Sequence, residues 1–411
     1  GRPTGLAGPP LSIHEPIFAA VHEKLRNLDS VDGDDLLELV AKLVETANKT
    51  YETERAYQEG TVGVLGDVLG VQFTEIVASG TGPRRTTESD AVALSPLSTT
   101  STQAVRCRGE WKLELGIGGD GQLQNALSLR KHLVEHRFEK VLNSSCPTIL
   151  VTVAGPYIAF SGFLFTEVWI SQPFTTYLPL VWQPGMEAAN VRELSKYFRV
   201  FRDALSELQA KYEGITVQDK FSKTLLLPRP TYQHDSRPPE DLCFLGRRCL
   251  FRATYGGKQA LVKFGERYGK AAHEILADAG LAPKLYCCIR IRGGLTMAIM
   301  EYVDSQDAHS AFWGRAIPEQ VVDDVKRALE LLHRQNLVFG DLRIPNVLVS
   351  KVDSEGDVGR WVTRLVDFSW AGRDDVDRYP PNLNLDIRWH PDVKANGIMR
   401  MAHDLFMLEE L

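Results

Sequence analysis

The sequence predicts two domains of mixed secondary structure, an α/β domain followed by an α+β domain. The chain has 411 residues, which is long enough for two or three ordinary domains. Helical and strand-like segments alternate through its first half, as they do in α/β domains. A proline-rich polar stretch, LPRPTYQHDSRPPED, separates that half from a second series of strands and helices. We therefore place the domain boundary near residue 220, with domains at 1–220 and 221–411.

Composition narrows the class of protein. The chain is 44% hydrophobic and 24% charged, which is typical of globular proteins. Its net charge of −6 gives no support to a whole-surface attraction to nucleic acid, although a local basic groove stays open. No apolar run reaches the length of a transmembrane helix, and the N-terminal GRPTGLAGPP lacks the regions of a signal peptide. Six cysteines without a CxxC pair favour a reduced intracellular setting and argue against a zinc site.

The first domain opens with helices. Apolar residues recur at three and four places across residues 11–58, and another helix is expected over Glu54–Leu69. A short apolar segment, Ala91–Leu94, interrupts a Ser-, Thr- and Gly-rich stretch and predicts a short strand between loops. The alternation in Ala104–Leu115 predicts a strand, after which GIGGDG forms a turn.

The rest of the first domain is expected to alternate between helices and strands. An amphipathic helix is expected over Gln122–Leu142, followed by a strand at Thr148–Ala154. Tyr157–Trp182 is dense in β-branched and aromatic residues, which indicates strands. A helix over Val191–Tyr212 completes this half.

The second domain begins with strands, has one helix among them, and is mostly helical afterwards up to residue 337. The elements expected before the helical part are strands at Cys243–Thr254 and Gln259–Phe264, a helix at Lys270–Ala279, and strands at Leu285–Ile291 and Leu295–Tyr302. We divide this domain into an N-terminal lobe, 240–302, and a C-terminal lobe, 303–411.

The stretch Val338–Ser350, VFGDLRIPNVLVS, contains the strongest functional motif. Asp341 follows an apolar flank, Asn346 comes five places later, and Asp367 follows an apolar pair in VTRLVDF. This spacing is typical of phosphoryl transfer, in which the first Asp accepts the substrate hydroxyl's proton. The Asn and the second Asp then supply the oxygen ligands that suit Mg²⁺.

Residues of the N-terminal lobe complete this pattern. Lys263 lies in an apolar strand, LVKF, and would contact the phosphates of ATP and pair with Glu274, eleven residues later. Glu301 and Val303 end a later strand in MEYV and would contact adenine. The alternative is that Lys263 and Glu274 form only a structural ion pair in an inert scaffold.

Residues 240–411 resemble a protein-kinase-like domain through LVKF, HE, MEYV, GDLRIPN and VDF. The tail, VDFSWAGRDDVDRYPPNLNLDIRWHPDV…MAHDLFMLEEL, is similar to the kinase-like domains of Crinkler-type effectors and related fungal proteins. The resemblance implies ATP and Mg²⁺ as cofactors, a shortened C-terminal lobe, and a role for Asp404 in bracing the catalytic loop. His403, beside Asp404, is expected to pack or to form hydrogen bonds rather than to bind metal.

The chain departs from the kinase pattern at several positions. Phe339 and Gly340 replace the loop His and Arg, so control through a phosphate paired with that Arg is not expected. Arg343 replaces a Lys and Ser369 replaces a Gly. The nucleotide-covering loop has no GxGxxG, since only Gly246 precedes Arg247 in that segment.

Charged residues in the first domain form a second candidate site. Glu110 and Lys112 are two residues apart on one predicted strand, so they share a face, and Asp90 can join them if its strand pairs with theirs. Two carboxylates and a lysine would hold a divalent cation and orient a water for phosphodiester cleavage. The rival interpretation is a solvated strand face on which Lys112 pairs with Glu110 or Glu114.

This arrangement resembles the PD-(D/E)XK nuclease superfamily, through Asp90, Glu110-Trp111-Lys112 and a following helix with Gln122 and Gln124. The resemblance implies a further acidic ligand, either Glu54 or Glu59. Four arginines are candidates for a phosphate-contacting patch or, equally, for an exposed loop and strand: Arg84, Arg85, Arg106 and Arg108.

The two resemblances together predict a Crinkler-like effector. Its first domain would be a Mg²⁺-dependent DNA endonuclease, and its second would bind ATP and phosphorylate a host protein or regulate the nuclease. The resemblance implies action inside a host cell, at the nucleus. Two alternatives remain, a serine/threonine-type protein kinase whose first domain only binds a substrate, and a non-catalytic pseudokinase scaffold. The oligomeric state is left open.

Overall fold

The computed structural model describes the following residues: 9–78, 87–97, 103–116, 119–135, 144–166, 169–215, 228, 230, 238–245, 249–352 and 359–411. They form two compact units, Gly1–Tyr232 with Arg292–Gly294, and Gln233–Ile291 with Leu295–Leu411. The division falls after residue 232, beyond the expected boundary near 220. Each unit contains helices and a sheet, so the prediction of mixed α and β structure is confirmed. Within the described ranges, no helix is long and apolar enough to cross a membrane.

The first unit has six helices and seven strands among its described residues. The helices are α1 (Leu11–His14), α2 (Pro16–Arg26), α3 (Leu37–Ala47), α4 (Glu54–Leu69), α5 (Gly121–Glu135) and α6 (Glu187–Glu213). The strands are β1 (Thr74–Ala78), β2 (Thr87–Pro96), β3 (Gln103–Lys112), β4 (Thr148–Ala154), β5 (Tyr157–Phe165), β6 (Trp169–Pro173) and β7 (Leu178–Pro179). Helix α5 is described only to residue 135, so the rest of the expected helix to Leu142 lies outside the described residues.

The strands follow the order β1-β2-β3-β4-β5-β6, with β7 also paired to β5. Among the described strands of this sheet, only β3 and β4 pair in parallel, and α5 is the helical crossover that a parallel pair requires. Helices α2, α3, α4 and α6 pack on one face of this sheet, around residues such as Phe18 and Phe201. Helix α5 covers the other face at Leu129. Strand β3 is therefore covered on both faces.

Because both faces of β3 are covered, the expectation that two of its arginines are exposed or contact phosphate is wrong. Arg106 and Arg108 are only 7% and 4% exposed, so they form neither an exposed strand nor a phosphate-contacting patch. Arg106 donates to the backbone oxygen of Leu205 at 3.4 Å and also to Gln209 of α6. Burial lowers the pKa of Arg108 to about 10. Arg84 and Arg85 lie outside the described residues.

The second unit has ten strands and four helices in its described part. The strands are β8 (Glu240–Phe244), β9 (Leu250–Tyr255), β10 (Lys258–Gly265), β11 (Leu285–Arg290), β12 (Thr296–Glu301), β13 (Gln306–Asp307), β14 (Leu337–Val338), β15 (Val347–Val352), β16 (Arg360–Leu365) and β17 (Gly372–Arg373). The helices are α7 (Lys270–Asp278), α8 (Ala308–Ala311), α9 (Glu319–His333) and α10 (Met401–Glu409).

The first five of these strands form one antiparallel sheet in the order β11-β12-β10-β9-β8. Helix α7 connects β10 to β11. The remaining strands form two small sheets, β13-β15-β16 and β14-β17. Helix α9 buries an apolar stripe that includes Val325, Leu329 and Leu332, and this stripe joins α7 and the loop after β14 in one core. The loop between β14 and β15 is consequently held by a packed core on one side.

Candidate functional site

The loop from Phe339 to Asn346 connects β14 to β15 and contains the predicted base. Gly340 has a φ of +78°, a conformation that L side chains rarely adopt. A Cβ at this residue would lie 2.3 Å from the methyl carbon of Met399. The backbone conformation therefore favours glycine, and a residue with a Cβ would also need the end of the Met399 side chain to shift.

Asp404, on α10, braces this loop as the resemblance implied. Its carboxylate is 1% exposed and accepts the backbone N–H groups of Phe339 at 2.8 Å and Gly340 at 2.9 Å. A ring nitrogen of His333, the last residue of α9, lies 3.1 Å from the same carboxylate. One buried anion thus joins two helices to the two residues before Asp341.

Asp341 itself is 3% exposed and hydrogen-bonded on both sides. Arg343 donates to its two carboxylate oxygens at 2.6 and 2.7 Å. Asn346 donates its amide to the backbone oxygen at 2.8 Å and to the carboxylate at 3.0 Å. Burial raises the pKa of Asp341 and the Asp367 carboxylate acts in the same direction, whereas Arg343 opposes them. A carboxyl group with a raised pKa is a stronger base once ionised.

Asp367 and Lys263 bring the two parts of the unit together. Asp367 has a φ of +69°, which is uncommon for a residue other than glycine and is often found at functional sites. Lys263, in the middle of β10, forms an ion pair with its carboxylate, and both side chains are less than 15% exposed. The ion pair joins residues 104 apart in the chain, one from each predicted lobe.

The expected pair between Lys263 and Glu274 is not formed. Glu274 lies on an exposed face of α7 and pairs with Lys270 at 3.7 Å, one helical turn earlier. The inward face of α7 at this point carries His273, which is fully buried and stacks on the Phe368 ring with centroids 4.4 Å apart. The helix therefore contacts the segment after β16 through an aromatic pair rather than through a Lys–Glu ion pair.

The hydrogen-bond partners of His273 determine which of its ring nitrogens carries the hydrogen. One ring nitrogen, Nε2, lies 2.8 Å from the backbone oxygen of Pro283, which can only accept, so Nε2 carries the hydrogen. The other nitrogen then accepts the hydroxyl of Tyr268 at 2.7 Å. Burial lowers the pKa of His273 to about 4, so the ring is neutral at physiological pH.

The segment that follows β12 is the predicted adenine contact. The Glu301 carboxylate accepts the backbone N–H of Lys284 at 3.2 Å and so does not project freely. Tyr302 donates its backbone N–H to Gln259 at 3.4 Å. Within the described part of the chain, the half-buried Val303 N–H donates no hydrogen bond. This donor is available to a ligand at the end of β12.

The predicted site in the first unit is buried rather than solvated. Glu110 and Lys112 are 6% and 8% exposed, which rules out the solvated strand face as the rival interpretation. The Lys112 ammonium lies 3.4 Å from the Glu110 carboxylate and 3.5 Å from that of Glu54. Burial raises the pKa of Glu110 against the opposing charges of Lys112 and Arg108.

Helix α4 brings Glu54 to this group. The helix begins at Glu54 because the Thr53 side chain caps it by accepting the Ala56 N–H. The indole of Trp111 donates to the Thr61 hydroxyl at 2.9 Å and so fastens α4 to β3. Glu59 instead points outward and pairs with Arg55 at 2.8 Å. Of the two acidic residues predicted on this helix, the structure brings Glu54 to the site.

For Asp90, the structure describes the backbone and not the side chain. Ala91 pairs with Gly109 in the antiparallel β2–β3 register, so the next positions, Asp90 and Glu110, are neighbours along the two strands. The side chain of Asp90 lies outside the described part of the chain. Its predicted participation in the site therefore stays a prediction.

A cavity of about 230 Å³ adjoins Lys112. Its lining includes Gly121 and Gln122 at the start of α5, together with Tyr177, which the sequence analysis did not select. Gln124 is exposed and does not line this cavity. Asn125, fully buried on α5, donates to the backbone oxygen of Val151 at 3.0 Å and holds the start of the helix against β4.

Two other contacts in the structure were not predicted from the sequence. His333 contacts Asp404, and the only signal for it was a histidine at the end of an amphipathic helix shortly before the catalytic loop. Tyr57 of α4 donates its hydroxyl to the backbone oxygen of Gly155 at 2.5 Å, with no pattern in the sequence to suggest it. Both contacts join segments that are far apart in the chain.

No protein-family model matches this chain, and no curated protein matches it. Among solved structures, the chain is similar to the kinase PK-1 of Cydia pomonella granulovirus. The two share 16% sequence identity over 32% of this chain and 52% of that one, with a TM-score of 0.26. The chain thus spans about half the length of the viral kinase.

Proposed function

We propose that the second unit is a kinase-like phosphotransferase that binds ATP with Mg²⁺ and phosphorylates a hydroxyl group. The observation that carries the proposal is the convergence of Lys263, Asp341, Asn346 and Asp367. These residues come from a strand, a loop and the segment after another strand, and yet they meet in one largely buried cluster. A buried group of two carboxylates, a lysine and an amide is the set that phosphoryl transfer requires.

The residues fit a magnesium ion. Asn346 uses only its amide nitrogen in hydrogen bonds, so its side-chain oxygen accepts no bond within the described part of the chain. That oxygen and the Asp367 carboxylate would hold the ion, since Mg²⁺ prefers oxygen ligands and few carboxylates. A bound Mg²⁺ would neutralise phosphate charge.

The other residues have separate roles in this proposal. Asp341 would accept the proton of the substrate hydroxyl, and Arg343 would hold its carboxylate in place until the substrate arrives. Lys263 would exchange its ion pair with Asp367 for the nucleotide phosphates. The Val303 N–H would donate to adenine, and the Glu301 side chain would keep that segment attached to Lys284. Glu274, on the exposed face of α7, has no part in it.

A paired substitution in β10 tests the proposal. Mg²⁺·ATP affinity is measured by calorimetry for the native protein, for Lys263→Ala and for Lys258→Ala, an exposed lysine of the same strand. Loss of a charge-assisted contact of about 1.5–3 kcal/mol should weaken binding by roughly tenfold or more in Lys263→Ala only. Absence of measurable ATP binding by the native protein would refute the proposal.

A second substitution separates an active kinase from a scaffold. Asp341→Asn should retain ATP binding and lose transfer of labelled phosphate to the protein itself or to a serine/threonine peptide. Native protein that binds ATP and transfers no phosphate to any of these acceptors would support the alternative of a non-catalytic pseudokinase scaffold.

We also propose Mg²⁺-dependent DNA cleavage by the first unit, as a second candidate function. The observation that favours it is the approach of Glu110 and Glu54 to Lys112 beside a cavity of about 230 Å³. The two carboxylates would hold the ion, Asp90 would join them from β2, and Lys112 would orient the attacked phosphate. If this unit lacks cleavage activity, two alternatives remain, a protein kinase whose first domain only binds a substrate and a non-catalytic pseudokinase scaffold.

Plasmid cleavage with Mg²⁺, with and without ATP, tests this second candidate. Lys112→Ala should abolish cleavage, and Lys42→Ala, which removes an exposed lysine of the same unit, should not. An effect of ATP on the native rate would make the second unit a regulator of the first. Native protein that leaves the plasmid intact under all conditions would exclude the nuclease.

We propose, finally, that the chain belongs with Crinkler-type effectors and acts in the nucleus of a host cell. Support for this comes from the motifs in the sequence alone. A fluorescent fusion expressed in host cells tests it, since exclusion from the nucleus would contradict the proposal.

A further inference from the structure

A second cluster of metal-binding residue types lies outside the catalytic loop. His390, Asp392 and His403 each present a ligand atom within 4.8 Å of the others. His390 and Asp392 belong to the long segment after β17, and His403 lies in the first turn of α10. Two imidazoles and a carboxylate form a ligand set that suits a zinc-like divalent ion, with a water in the fourth position.

The chemistry of His403 supports a ligand at this place. The side chain is only 2% exposed, and its Nε2 atom has no hydrogen-bond partner among the described residues. Buried polar atoms without a partner are rare in native proteins and need an explanation. The Nδ1 atom lies 3.1 Å from the Tyr379 hydroxyl and accepts the backbone N–H of Arg400 at 3.3 Å. Metal binding through Nε2 would require the hydrogen to sit on Nδ1, where the Tyr379 hydroxyl can accept it, and the Arg400 contact would then be lost.

The other two residues can approach His403. The His390 and His403 rings are 4.9 Å apart between centroids, and the side chain of His390 is partly exposed. The carboxylate of Asp392 is 78% exposed and therefore has room to move. The positive end of the α10 dipole works against a cation by about 0.3–1 kcal/mol. The negative charges of Asp392 and of the adjacent Asp404 offset this effect.

We propose that His390, Asp392 and His403 form a binding site for a zinc-like divalent metal ion. From the sequence, His403 is expected to pack or to form hydrogen bonds, whereas here it would be a metal ligand. The ion would fasten the start of α10 to the preceding segment. Since Asp404 follows His403 directly and accepts the N–H groups of Phe339 and Gly340, the ion would also stiffen the catalytic loop.

Zinc binding by the full chain tests the proposal. Zn²⁺ is titrated in competition with a chromogenic chelator into the native protein, His390→Gln and a control, His309→Gln, which changes an exposed histidine elsewhere in the second unit. We expect one ion per chain for the native protein and the control. We expect an affinity on the order of 100-fold weaker for His390→Gln, since even outer-shell changes weaken metal sites by about 10–100-fold.

Two further measurements keep the test decisive. Asp392→Asn changes an exposed side chain and should leave folding intact while weakening Zn²⁺ binding by about tenfold or more. The absorption spectrum of bound Co²⁺ should show the intense visible bands of a four-coordinate site in the native protein. The proposal would be overturned if the native protein failed to bind Zn²⁺. It would also be overturned if Asp392→Asn and His390→Gln bound Zn²⁺ as tightly as the native protein does. None of these readouts depends on ATP or phosphate transfer.

Discussion

The brace at Asp404 allows a prediction worked from the structure. Asp404→Asn keeps the size of the side chain and leaves only one oxygen, so it can accept from Phe339 or Gly340 but not from both. The side-chain amide then faces a backbone N–H, and a buried donor loses its partner. A charge-assisted hydrogen bond contributes about 1.5–3 kcal/mol. We expect a local loss of about 2 kcal/mol.

Amide hydrogen exchange is the appropriate assay. A chain with two units need not unfold in a single step, so one global unfolding energy would not isolate the loop. The Phe339 and Gly340 amides report on it directly, and about 2 kcal/mol corresponds to roughly 30-fold faster exchange. The control is Asp386→Asn, an exposed carboxylate in the same unit whose side chain forms no hydrogen bond or ion pair among the described residues.

The exchange rates show whether Asp404 stabilises the loop that contains Phe339 and Gly340. Exchange that accelerates at Phe339 and Gly340 in Asp404→Asn, and not in the control, supports the reasoning. Rates unchanged within about twofold would refute it, because a buried pair of N–H groups cannot lose its acceptor without effect. If the loop also positions the base, phosphate transfer should decline in parallel.

Three further outcomes are expected. Gly340→Ala should destabilise the second unit by about 1–3 kcal/mol in chemical unfolding, because a φ of +78° strains a residue with a Cβ and the buried Met399 side chain must shift to admit that Cβ; Gly314→Ala, with a similar φ of +69° and open space, should cost less. The folded-state pKa of His273, about 4, lies below its ordinary 6.5, so this residue's contribution to stability is complete above pH 6.5 and lost as the pH falls towards 4. The full loss is about 3 kcal/mol, and identical pH profiles of unfolding for the native protein and His273→Gln would contradict it. Iodoacetamide at pH 8 should label the exposed Cys243 and spare Cys107, because burial raises the pKa of Cys107 to about 12; equal labelling, read by mass spectrometry, would disprove this.

Local patterns in the sequence were sufficient for most elements and for the spacing of the catalytic loop. The strand around Lys263 and the helix around Glu274 were predicted because each has its own periodicity. The predicted ion pair between them failed because periodicity does not decide how a helix turns about its axis. The packing of His273 on Phe368 decided that rotation and left Glu274 in solvent.

In the first unit, the E-x-K spacing predicted correctly that Glu110 and Lys112 share a face. It did not reveal that α5 covers that face, so the burial of Lys112 and Arg108 was missed. Burial depends on which element crosses over a strand, and a strand's own residues do not specify this.

By itself, the sequence determined the mixed α and β composition of both units and the order of the candidate catalytic residues. These properties depend on the residues within a short window, where hydrophobic period and motif spacing act directly. Only the tertiary structure decided which distant groups meet: Lys263 with Asp367, Asp404 with the Gly340 backbone, and His390 with His403. Such contacts arise from the packing of whole elements in a shared core, and no local pattern along the chain encodes them.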